Sequence, residues 1–106
     1  MVKSESKKIK RMKEKMKELQ QELKSIGPVM RGSIVCIGMK TKQYFFSLNK
    51  NQKTKIIFLG KKRVEYAKKY LENYKKLLDI IEKMTIINME LMKKKALFNT
   101  FFKPKT

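Results

Sequence analysis

The side chains of this sequence best placed to do chemistry are its cations. Leu23 to Val64 contains no Asp or Glu, yet it carries Lys24, Arg31, Lys40, Lys42, Lys50, Lys53, Lys55, Lys61, Lys62 and Arg63. A surface of one sign repels itself and is most stable against a polyanion, of which nucleic acid is the commonest. The chemistry implied is ionic contact with phosphates rather than bond making. Histidine is absent and Cys36 is the one cysteine, which removes internal disulfides, a Cys/His zinc set and His-based acid–base or triad chemistry. Glu5, Glu14, Glu18, Glu22, Glu65, Glu72, Asp79, Glu82 and Glu90 are scattered among lysines at helical ion-pair spacings, which solubilises a helix and builds no carboxylate pair. No phosphate-loop glycine motif or metal-ligand spacing stands out. The expectation is a protein that is not an enzyme and needs no cofactor or metal, with Cys36 a small hydrophobe buried in a strand.

The elements that must position these cations follow from composition and periodicity. With 106 residues, a net charge of +19 and 42% apolar residues, the chain is too apolar for a disordered basic tail and large enough for one small domain. Ile9, Met12, Met16, Leu19, Leu23 and Ile26 recur at alternating spacings of three and four, a heptad seam that predicts a helix from about Ser6 to Ser25, ended by Gly27-Pro28. This seam fits a coiled coil between subunits and an intramolecular stripe against another helix equally well. Ser33 to Ile37, Gln43 to Leu48 and Lys55 to Leu59 are short runs rich in Ile, Val, Phe and Tyr that read as three strands, the last two joined through Asn49-Lys50-Asn51-Gln52 as an antiparallel hairpin. Tyr44, Phe46 and Leu48 share one face of the second strand, and Gln43, Phe45 and Ser47 the other. Neither face of the sheet is fully polar, so the helices are expected to cover it.

A second helical pattern runs from about Lys62 to Lys95 without proline or glycine. Its apolar residues between Leu77 and Met92 point almost all round the cylinder, which requires enclosure by the first helix or by a second copy. Leu97, Phe98, Phe101 and Phe102 in the tail read as an aromatic hook for the helices or a partner. The fold expected is α+β, with an N-terminal heptad helix over residues 1–26 and, over residues 27–106, a three-stranded antiparallel sheet, a long helix and the tail. No signal core or run of about 20 apolar residues is present, so a cytoplasmic protein without membrane attachment is expected.

The candidate nucleic-acid-binding residues are Arg31, Lys40, Lys42, Lys50, Lys53, Lys55, Lys61, Lys62 and Arg63 for phosphates, and Tyr44 and Phe45 as rings able to stack on an unpaired base, although rings in such strands more often belong to the core. Lys61-Lys62-Arg63 also falls at the start of the long helix, where cations oppose the dipole unless an anion lies nearby. RNA, or an RNA–protein assembly, is favoured over duplex DNA, because no helix-turn-helix is recognisable and arginine, the usual guanine reader, occurs only at Arg11, Arg31 and Arg63. An accessory subunit is expected, as a homodimer or within a larger nucleoprotein assembly. A protein adaptor or viral inhibitor, acting through the apolar long helix and the aromatic tail, is the competing expectation.

Met30-Arg31-Gly32-Ser33-Ile34-Val35, Tyr44-Phe45-Phe46-Ser47-Leu48, Val64-Glu65, Glu72-Asn73-Tyr74-Lys75-Lys76-Leu77-Leu78 and Ile87-Asn88-Met89-Glu90-Leu91 together resemble an uncharacterised prokaryotic domain family of small basic proteins, often near transposases and other mobile elements. The likeness spans roughly Ile26 to Lys95. It implies a compact strand-rich module followed by a long helix, in a nucleic-acid context. The family usually has a cysteine-bearing loop and a His-Gly-Pro-Tyr segment between the first two strands. Here that loop shrinks to Gly38 to Lys42 with only Cys36 nearby, so no metal role carries over.

Overall fold

The computed structural model describes residues 6–96, which leaves the aromatic tail outside the described residues. The class is α+β: α1 (Lys7–Ser25), β1 (Ser33–Ile37), β2 (Gln43–Lys50), β3 (Lys53–Phe58) and α2 (Gly60–Lys93). The strands form one antiparallel sheet in the order β1-β2-β3, with β1 and β3 as its edges.

Each element ends for a local reason. The Ile9 amide donates to the Ser6 hydroxyl at 3.2 Å, a side-chain cap for α1. Gly38, at φ 119°, begins the turn into β2, and a Cβ there would run into the Thr41 carbonyl. The β2–β3 turn is Asn51-Gln52, with φ of 53° and 63°, the double left-handed geometry whose twist matches a tight hairpin. Thr54 Oγ1 donates to Asn49 Oδ1 across it at 2.6 Å. At the end of α2 the Ala96 amide donates to the Leu91 carbonyl at 2.8 Å around Lys95 at φ 55°, a Schellman-type stop.

The chain packs as two compact units, one of residues 26–77, the other combining α1 with α2 from Leu78 onward. In the helical unit Met16 and Leu19 of α1 are buried, as are Ile80 and Leu91 of α2, so the α1 stripe packs within the chain. Ile80, Met84, Ile87 and Leu91 share one side of α2 by helical spacing. On the other side Leu78, Ile81, Ile86, Met89 and Met92 are exposed, so within one chain this stretch is enclosed on one side only.

In the 26–77 unit, Phe46, Leu59, Val64 and Ala67 form a buried cluster packed by Met30, Ile34, Tyr44, Leu48 and Leu71. Burying a side chain such as Phe46 contributes about 1.5–3 kcal/mol. Phe46 lies opposite Ile34 and Ile57, so this is the sheet face that the first turns of α2 cover. The chain enters α2 directly from β3, and the Leu59 amide donates to the Tyr44 carbonyl at 2.8 Å, which turns the helix back over that face. Farther along, the Met30 amide donates to the Tyr70 carbonyl at 3.2 Å and Asn73 Nδ2 to the Pro28 carbonyl at 2.8 Å, tying the segment before β1 to α2.

The other sheet face is left open, contrary to the expectation that helices cover the sheet, because α2 is the only helix in this unit and takes the Phe46 side. Ser33, Val35, Ile37, Gln43, Phe45, Ser47, Asn49, Thr54, Ile56 and Phe58 alternate onto it. None of them is charged. Ile37, Ile56 and Phe58 are about half exposed there, and Phe58 meets Phe45 edge-on at 5.5 Å. Cys36 is exposed rather than buried, because it sits on an edge strand where α2 does not reach over it.

Candidate nucleic-acid interface

The 26–77 unit carries thirteen Lys and Arg against Glu65 and Glu72, a net charge of +11. Contiguity in sequence does not make these cations contiguous in space. Lys40 and Lys42 lie in the β1–β2 loop at one end of the sheet, while Lys50 and Lys53 pair across the hairpin at the other. Six residue steps along β2, from Tyr44 to Lys50, separate the ends by roughly 20 Å at about 3.3 Å per residue. Arg31 joins the hairpin end, its Nη2 donating to the Asn49 carbonyl at 3.2 Å.

Strand alternation then sorts cations from rings. Lys55 faces Leu48 and Ile57 faces Phe46, so Lys53, Lys55 and Ile57 share the helix-covered side of β3. Phe45 is on the opposite, uncharged face with Phe58. Tyr44 is half-buried on the helix side and borders a shallow cavity of about 280 Å³ with Lys61, Val64, Glu65 and Lys68. That cavity holds its own anion, Glu65, paired with Lys68 at 3.6 Å. The two rings singled out from the sequence are thus brought neither to each other nor to most of the cations.

What the fold does bring together is a groove between β3 and the first turns of α2. Met30, Ile57, Leu59, Arg63, Tyr66, Ala67 and Tyr70 line an open cavity of about 310 Å³, and none of these residues is acidic. Arg63, Tyr66 and Tyr70 recur at i, i+3 and i+7 on one stripe of α2, and Lys62 precedes Tyr66 by one turn. Beyond Ile57, Lys55 and Lys53 follow on the same side of β3. Tyr66 is 63% exposed, and its ring centroid lies 6.5 Å from that of Tyr70 at a 60° tilt, so its face is not stacked away. The first turn of α2 carries no acid. The groove therefore joins apolar lining, phenol rings and cations of one sign. Tyr66 and Tyr70 are absent from the residues picked out by sequence; their i, i+4 spacing after Lys61-Lys62-Arg63 was the available signal.

Lys83 lies in the helical unit and holds its proton above the ordinary lysine value of 10.5, because Asp79 accepts its hydrogen bond at 3.0 Å and adds its charge, with Glu22 contributing. Among the described residues no cluster of Cys, Asp and Glu could hold a metal ion, and no helix is long and apolar enough to cross a membrane. Compared with family models, curated proteins and solved structures, the chain matches none.

Proposed function

We propose that this chain is a nucleic-acid-binding accessory protein that holds the phosphate backbone along the β3–α2 groove. The observation that carries the reading is the sign of that groove: Arg63 lines it, Lys55 and Lys53 follow Ile57 on the same side of β3, and no acidic residue is among its lining residues. Lys62 and the hairpin cations Arg31 and Lys50 extend the track, whereas Lys40, Lys42 and Lys61 are not among the lining residues of the groove. RNA, alone or within a mobile-element nucleoprotein, is favoured over duplex DNA, since guanidinium readers are few and no helix-turn-helix is recognisable among the described elements.

The test is fluorescence anisotropy of the full chain with labelled RNA and DNA at two salt concentrations. With 6–10 phosphate contacts, affinity falls by roughly 10³–10⁵ between 50 and 200 mM salt. The triple change Lys53→Glu, Lys55→Glu, Arg63→Glu abolishes binding, and Lys40→Glu with Lys42→Glu leaves most of it. Equal losses in the two variants would place the contact elsewhere.

A second reading has its own observation. The exposed apolar side of α2 at Leu78, Ile81, Ile86, Met89 and Met92 suits a protein adaptor, whose complex with one partner protein survives high salt and nuclease treatment.

A further inference from the structure

The lining of the groove is not what a phosphate alone would select. Its surface is made by Met30, Ile57, Leu59 and the tyrosine rings, with Arg63 as the one charged group among the lining residues. A bare polyanion gains nothing from such a surface, and an uncharged apolar ligand gains nothing from the lysines beside it. An unpaired nucleotide supplies both a flat apolar ring and an adjoining anion. From this pairing we infer that the groove is a seat for an unpaired base of single-stranded nucleic acid. The base lies against Tyr66 and Tyr70, and the flanking phosphates lie on Arg63, Lys55 and Lys53.

Size and exposure agree with this occupant. At about 310 Å³ the cavity is at the small end of the range for ligand sites, about 300–1,000 Å³, enough for one or two rings and too little for a base pair with both its backbones. Tyr66 presents its ring to solvent, and every base offers a face to it. Lys55 and Lys53 stand on the same side of β3 beyond Ile57, so a strand leaving the seat runs onto cations. A duplex, with its bases stacked inside, reaches the lysines but not the seat.

The inference rests on the backbone-binding reading, and its test separates the two. Anisotropy is measured with the full chain and four labelled probes: a uridine decamer, a 2′-deoxyuridine decamer, an abasic decamer and a ten-base-pair duplex. At equal salt, at least one of the base-bearing single strands binds about 5- to 140-fold more tightly than the abasic strand, the span equivalent to 1–3 kcal/mol of stacking per base. The tighter of the two identifies the sugar. Tyr66→Leu removes this preference without changing the salt slope, and Tyr66→Phe, which keeps a ring, retains it; circular dichroism verifies that both variants fold. Equal, salt-dependent binding of abasic and base-bearing strands overturns the base seat and leaves backbone binding standing. Absence of salt-dependent binding to all four probes overturns both.

Discussion

Asn73 offers the sharpest test of how the 26–77 unit is held together. It is buried, at 5% exposure, and its Nδ2 donates to the Pro28 carbonyl at 2.8 Å. Asn73→Ala leaves that carbonyl without its donor, at a cost of about 1–3 kcal/mol. Alanine is the better helix former by about 0.6 kcal/mol, so the net loss comes to about 1.5 kcal/mol. The unit has its own probe: the chain has no tryptophan, and its four tyrosines, Tyr44, Tyr66, Tyr70 and Tyr74, all fall within residues 26–77. Urea unfolding followed by tyrosine fluorescence therefore reads this unit alone. With a slope of about 1 kcal/mol/M for a unit this small, the midpoint falls by about 1.5 M. Glu72→Ala, at the exposed neighbouring position, leaves the midpoint within about 0.5 M, the ordinary range for a surface change. If Asn73→Ala does no more than Glu72→Ala, the Asn73 hydrogen bond does not hold the segment before β1 against α2.

Three further outcomes follow from particular residues. Gln52 occupies a left-handed position, φ 63°, that costs a non-glycine residue roughly 1–2 kcal/mol; Gln52→Gly raises the same urea midpoint, by about 1 kcal/mol in stability. In Asp79→Asn, the Lys83 ammonium, titrated by NMR, deprotonates at lower pH than in the parent chain. The sign follows from the raised folded-state pKa: the Asp79–Lys83 contact favours the fold below the ordinary lysine value and is lost as pH rises through the folded one, and no measurable global stability is expected from so exposed a pair. Cys36, exposed in the folded protein, reacts with a thiol reagent in native buffer at nearly the rate seen in urea; strong native protection would mean that β1 is covered in solution.

Much of the fold was legible. The alternating three-and-four spacing from Ile9 to Leu23, closed by Gly27-Pro28, marks α1 to within a residue, and Ser33–Ile37 matches β1. The hairpin is tighter than the polar run Asn49 to Gln52 suggests, because Asn49, Lys50, Lys53 and Thr54 pair in the ladder and only Asn51 and Gln52 turn. Asn49, Lys50 and Lys53, of low strand preference, are carried there by the turn geometry. Alternation assigned Tyr44, Phe46 and Leu48 to one face correctly. It could not say which face α2 would take, since Ile56 and Phe58 are as apolar as Ile57 and Leu59. The candidate site was less legible for a related reason. Lys40 and Lys53 belong to one acid-free run in sequence but to opposite ends of the sheet, and strand parity sends Phe45 away from the lysines. The stripe of Arg63, Tyr66 and Tyr70 becomes a groove wall only when β3 lies beside it.

The charge of the 26–77 unit has a bearing on its own folding. Thirteen cations against two anions strain the compact state by mutual repulsion, and dissolved ions relax that strain by shortening the reach of each charge. Under the proposed function electrolyte acts on this protein in two opposed senses, firming the empty chain while loosening its grip on a polyanion. Melting curves of the free protein climb as sodium chloride is added. Those of the proposed complex are expected to begin higher, since the bound polymer is itself a dense array of counter-charge, and to descend until the two sets converge.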